Sequence, residues 1–219
     1  MLVGHLGAAL AAKAIEPRMK LGTLFAAALF VDVVFWLLVL AGVEHIAVPA
    51  DFAVHHLYAF DFPFSHSLIG TVLLAVLFAF VWAVWGGRRA RRHGAYWDGI
   101  ALIAATVLSH WLLDVLVHGP DMPAVPGGLE LGIGLWRYQP LAFLVEMGLV
   151  MAAFAAFAVR SSLSTGRKIV AGVTVAVAAG LTLEGVYGTP ANDPAVTAVS
   201  GLMIIGLCVA AAAWADRSR

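Results

Sequence analysis

The chain has 219 residues, 62% hydrophobic and only 12% charged, where soluble domains carry about 25% charged residues. With a mean hydropathy of +0.94, this is the composition of a membrane protein. The formal net charge is zero and Cys208 is the single cysteine, so the sequence implies no nucleic-acid partner and excludes an intrachain disulfide or a thiolate metal site.

Residues 2–15 form an apolar segment closed by Pro17. It is shorter than the roughly 20 residues a crossing needs, so a re-entrant helix reaching halfway is expected. No basic stretch precedes it, and Lys13, Arg18 and Lys20 follow it. The segment is therefore expected to stay in the mature chain rather than be cleaved as a signal peptide. Six stretches then reach spanning length: 21–42, 67–86, 96–117, 140–159, 169–187 and 195–215. The fold class predicted is all-α, a polytopic membrane helical bundle of about six transmembrane helices plus the short N-terminal helix. Residues 1–219 form one integral membrane domain, with 1–150 as a metal-site core and 151–219 as additional transmembrane helices.

The connections sort by charge. Lys13, Arg18 and Lys20, then Arg88, Arg89, Arg91 and Arg92, then Arg160, Arg167 and Lys168, then Arg217 and Arg219 fall on alternate connections. The intervening loops are acidic (Glu44, Asp51, Asp61, Asp121, Glu130, Asp193), with only Arg137 basic. By the positive-inside rule both termini are cytoplasmic.

Ionisable residues inside spans are costly and functional by default. They are Asp32 in the first span, His110 and Asp114 in the third, Glu146 in the fourth and Glu184 in the fifth, with His66 opening the second and His5 in the short segment. At 1.5 Å per residue, Asp32, His110 and Glu146 lie roughly 21 Å from the basic side. His5 lies at about 18 Å, Glu184 at about 24 Å and Asp114 at about 27 Å. His66 is the least well aligned. Polar groups from several helices thus share one layer in the outer half of the bilayer.

Ser109-His110-Trp111-Leu112-Leu113-Asp114 is the strongest local motif. Positions i and i+4 share a helix face, so an imidazole and a carboxylate one turn apart can hold one metal ion. His118 continues that face, at the water boundary. Each residue also has a plainer reading. His110 and Asp114 would be a helix-gluing hydrogen-bonded pair, Asp32 a partner of Lys13, and His66 part of a wet helix start capped by Ser65. His5 would be an interfacial histidine. Glu146 could be ligand, base or supporting partner, and Glu184 is structural. His45, His55 and His56 read as solvated, as does His93 among the arginines; Trp82, Trp85, Trp97, Trp111 and Trp136 read as an interfacial belt.

Gly4-His5, Asp32, Ser65-His66-Ser67, Ser109-His110 through Asp114, and His118-Gly119-Pro120-Asp121 resemble a family of bacterial inner-membrane proteins described as membrane-bound metal-dependent hydrolases. Gly132-Ile133-Gly134-Leu135-Trp136, followed by Glu146, resembles one branch of it. The likeness covers roughly residues 1–150. Val33-Val34 follow Asp32 where that family usually has a second aspartate. The order His, Asp, His, His-x-x-x-Asp is also similar to the all-helical zinc phospholipases C and related nucleases. That likeness implies one ion on Asp32, His66, His110 and Asp114, and a second on His5 with Asp114 bridging. The further histidines that build a third site there are absent.

These readings combine into a membrane-embedded metal-dependent hydrolase of the bacterial inner (plasma) membrane. It is expected to hold one or two divalent ions, zinc or else manganese or iron, and to act on a lipid-like phosphoester or ester. Asp114 would orient or bridge the ions and Glu146 would serve as base or as a supporting partner of a ligand. Membrane lipid and a lipid-like substrate are the partners expected. The rival is an ion- or proton-coupled transporter or channel, since intramembrane acids and histidines also build such pathways. A structural or assembly subunit would leave the polar groups paired only with each other.

Overall fold

Hydrocarbon offers a backbone no hydrogen-bonding partner, so long apolar runs close their bonds within helices. The structure is a computed structural model describing residues 2–86 and 96–217, and it is an all-α bundle. The basic cluster Arg88, Arg89, Arg91 and Arg92, with His93, lies outside the described residues, as does Arg219. Five segments are long and apolar enough to cross a membrane: Leu68–Gly86, Tyr96–Val117, Leu135–Arg160, Thr165–Tyr187 and Pro194–Ala215. Their helices are α5 (Leu68–Val81), α6 (Tyr96–Val117), α7 (Gln139–Arg160), α8 (Thr165–Tyr187) and α9 (Pro194–Ala215). Apolar side chains such as Leu73, Val76 and Phe80 on α5, Leu144 and Val159 on α7, and Leu207 on α9 point outward and are exposed. Among the described residues this is the architecture of a multi-pass membrane protein.

One segment departs from the sequence expectation. The stretch 21–42 is not one straight span but two helices, α2 (Leu21–Ala28) and α3 (Phe30–Leu40), bent by 50°. No proline lies in this stretch; the bend adjoins the Ala28 carbonyl, whose side-chain partner is described below. The N-terminal α1 (Leu2–Ile15) is a 14-residue helix, about 21 Å long at 1.5 Å per residue and so shorter than a bilayer core of about 30 Å. It is the hub of the bundle, packed along α7 and against α2, α6 and α8. His5, Leu6, Ala9, Leu10 and Lys13 are all buried.

Lys13 does not bind Asp32. Its ammonium donates to the Met19 carbonyl and to Asp216 Oδ2 at 3.0 Å, and that carboxylate oxygen also accepts the Leu21 amide at 2.6 Å. This buried clamp pins the end of α9 to the α1–α2 turn. In the same turn Arg18 donates to Glu16 and holds its carboxyl below the ordinary range. Small residues let α2 and α9 approach closely: a Cβ on Gly22 would lie 2.7 Å from Ala213 Cβ.

At the opposite end, β1 (His45–Ala47) and β2 (Ala59–Asp61) form an antiparallel hairpin around the short helix α4 (Phe52–His55). A second, smaller hairpin joins β3 (Met122–Pro123) to β4 (Glu130–Leu131). The chain from β2 enters α5 through Ser67, whose hydroxyl accepts the Gly70 amide at 3.0 Å. Ser67, not Ser65, is therefore the cap.

Candidate metal centre

Five of the residues singled out in the sequence meet at one point. On α6, His110 Nε2 and Asp114 Oδ2 are 3.1 Å apart, one turn from each other. From α3, Asp32 Oδ1 lies 3.5 Å from His110 Nε2 and 3.6 Å from His66 Nε2. From the entry to α5, His66 Nε2 also lies 3.7 Å from Asp114 Oδ2. From α1, the His5 ring stacks on His110 at 3.6 Å between centroids, with Nε2 3.3 Å from Asp114 Oδ1. His5, His66, His110 and Asp114 are buried and Asp32 is half-buried. No lysine or arginine among the described residues comes within ion-pair distance of Asp32.

Two of these imidazoles are held so that one nitrogen faces the cluster as a bare lone pair. The Ala28 carbonyl can only accept, so His110 Nδ1, 2.8 Å away, carries the proton it receives. Ala28 ends α2, and a side chain bonded to a helix carbonyl is a recognised cause of a sharp kink; the bend at Leu29 is the counterpart of this bond. Ser65 hydroxyl donates to Glu44 Oε2 at 2.6 Å, so its oxygen accepts from His66 Nδ1 at 2.8 Å. In the neutral form of each ring Nε2 is then the acceptor, and in both it is aimed at carboxylate oxygens. Acceptor atoms gathered around one point are a donor set that a cation can join.

The nitrogen–oxygen distances suit one. Four ligand atoms bonded tetrahedrally at about 2.0–2.1 Å stand about 3.3–3.4 Å from each other. The four edges joining the two Nε2 atoms to the two carboxylate oxygens are 3.1, 3.5, 3.6 and 3.7 Å. Two triads, His5 with His110 and Asp114, and Asp32 with His66 and His110, each bring three ligand atoms within 4.8 Å. The cluster could therefore hold a metal ion.

A cavity of about 500 Å³ opens over this point. Asp32, His66, Asp114 and Glu146 contribute to its polar part, while Leu2, Phe35, Phe143 and Ile204 make apolar wall. The ends of α8 and α9, which carry no motif, form one side through residues 181–187 and 197–205. Glu146 is buried, and among the described residues its Oε2 has no hydrogen-bond partner; Trp136 and the backbone of Gly4 are its hydrogen-bonding neighbours.

Several sequence readings are corrected here. His118 is buried rather than at the water boundary; its Nδ1 faces Asp121 at 3.4 Å and its ring lies 4.4 Å from Trp136. Trp111 and Trp82 are buried in the packing and Trp136 lines the cavity, so these three do not form an interfacial belt; Trp85 and Trp97 are exposed. His45 and His55 are exposed beside Asp61 and Asp51, but His56 is half-buried in the cavity wall. Glu184 is exposed at the rim, near Tyr58, whose phenol is pushed up by burial and then by the Glu184 charge.

Sequence reasoning missed Glu44. It is fully buried, although it reads as one of several acids in an outer loop. Its Oε1 accepts the Phe64 and Ser65 amides at 2.9 and 2.8 Å. Nothing in its sequence neighbourhood marks it, because all its partners lie about 20 residues away.

Comparison with protein-family models, with curated proteins and with solved structures finds no match for this chain.

Proposed function

We propose that this protein is a membrane-embedded metal-dependent hydrolase that cleaves a phosphoester or ester in a lipid-like substrate. The observation that carries the reading is the pair of triads, His5 with His110 and Asp114 and Asp32 with His66 and His110, each gathering three ligand atoms within 4.8 Å of one another. Nitrogen and oxygen ligands without thiolate suit zinc, with manganese or iron as substitutes. Asp114 turns Oδ2 to His66 and His110 and Oδ1 to His5, so His5 and Asp114 would be the residues to hold a second ion. The resemblance to the membrane-bound metal-dependent hydrolases points the same way. By the positive-inside rule the alternation of basic and acidic loops puts both termini on the cytoplasmic side, and the resemblance points to a bacterial inner membrane.

When bound, a divalent ion lowers the pKa of water toward neutrality and polarises an ester oxygen. The chain's own residues supply the rest. His66 and His110 keep their lone pairs turned inward, because each donates its Nδ1 proton elsewhere. Glu146 Oε2, buried and without a partner among the described residues, is the oxygen able to take a proton from attacking water and return it to the leaving group. The apolar walls accept a hydrocarbon chain while the polar end receives the ester. The carboxylates gather at one point instead of running along a helix axis, which favours a reaction centre over an ion pathway.

The test is a panel of lipid and soluble phosphoesters offered to purified protein, with zinc or manganese restored after chelation. Turnover lost in Asp32→Asn and His110→Ala but kept in His45→Ala supports the reading. If no substrate is turned over, and proteoliposomes show ion or proton flux abolished by the same substitutions, the protein is a transporter.

A further inference from the structure

We infer that Glu44 is a positioning residue for the metal centre, acting through Ser65 to set which nitrogen of His66 carries the proton. The inference rests on the metal centre proposed above and extends it to a residue no ligand pattern would include.

A fully buried carboxylate requires donors on its oxygens. Glu44 has three: the Phe64 and Ser65 amides on Oε1 and the Ser65 hydroxyl on Oε2. The third couples it to the site. A serine hydroxyl has one proton. Committed to Glu44, that proton leaves the Ser65 oxygen only as an acceptor for His66 Nδ1–H, so Nε2 bears the lone pair that faces Asp32 and Asp114. Glu44 follows α3, which carries Asp32, and holds the segment that carries His66. It thereby ties two ligand-bearing elements together as well as orienting one ring. Partners of this kind typically shift metal affinity 10- to 100-fold when removed.

The substitutions separate these roles. Glu44→Gln keeps an oxygen for the two amides but presents an NH2 group to Ser65. The serine proton is then turned toward His66 Nδ1, and the imidazole proton moves to Nε2, where it blocks the ligand position. Ser65→Ala leaves both amide bonds to Glu44 in place and removes the hydroxyl that joins Glu44 Oε2 to His66. Asp61→Asn, in the same hairpin but exposed, is the control.

The full-length protein in detergent is stripped with a chelator and titrated with zinc by chelator competition. Cobalt is used in parallel to read the ligand field in the visible spectrum, and metal-free melting checks the fold. Glu44→Gln and Ser65→Ala should weaken zinc binding about 10- to 100-fold and alter the cobalt spectrum, while Asp61→Asn matches wild type. If Glu44→Gln does not fold, Ser65→Ala alone decides. Wild-type affinity and spectrum in Ser65→Ala would reduce Glu44 to a loop anchor and overturn the inference, with the metal centre intact. Failure of the unsubstituted protein to bind either metal would overturn the metal centre and this inference with it.

Discussion

Asp114→Asn should remove most of the stability that zinc confers. Asp114 is the one residue whose two oxygens face different imidazoles, Oδ1 toward His5 at 3.3 Å and Oδ2 toward His110 and His66 at 3.1 and 3.7 Å. Four-ligand zinc sites bind with about 10–16 kcal/mol, so one ligand in four accounts for about 2.5–4 kcal/mol, or roughly two to three decades in Kd. At free zinc 1,000 times the wild-type Kd, linkage stabilises the folded protein by about 4.1 kcal/mol. For a chain of this length that raises the melting temperature by about 8–16 °C. With Kd weakened about 100-fold, the same zinc confers about 1.4 kcal/mol, or about 3–6 °C. The assay is thermal unfolding in detergent, followed by tryptophan fluorescence, with zinc set by a chelator buffer. An identical zinc-induced rise in wild type and Asp114→Asn would refute the reasoning, because Asp114 would then be an intrahelical hydrogen-bond partner and no ligand.

Further outcomes are expected elsewhere in the molecule. Lys13→Met leaves Asp216 with only the Leu21 amide and should cost about 1–3 kcal/mol, seen as a lower melting temperature; adding Asp216→Asn should recover part of the loss. Gly22→Ala places a methyl 2.7 Å from Ala213 Cβ and 2.8 Å from its Cα, and forcing α2 from α9 should destabilise by about 1–3 kcal/mol in the same assay. Reporter fusions after residues 90, 125, 165 and 191 should alternate inside, outside, inside, outside, as the positive-inside rule requires; another order would break the span count.

The helices and part of the site were readable in the sequence because their causes are local. A run of about 20 apolar residues has few alternatives to a helix in hydrocarbon. A charge such as Asp32 or Asp114 within such a run stands out because solvating it there is costly. The His110–Asp114 pair follows from helical pitch alone. Convergence of His5 and His66 on that pair, the bend at Leu29, and the capping of α5 by Ser67 needed the tertiary structure. So did the burial of His118 and Trp111, the place of Trp136 in the cavity wall, and the cavity side formed by α8 and α9.

The difference has one physical origin. Burial in an apolar helix is a property of the residue's own neighbours in the chain. The partner that makes a buried polar group tolerable is chosen by packing, as Ala28 is for His110 across 82 positions and Glu44 is for Ser65 across 21. A loop acid such as Glu44 looks identical in sequence whether it faces water or three buried donors. Only the folded chain decides which, because hydrogen bonds depend on distances in space.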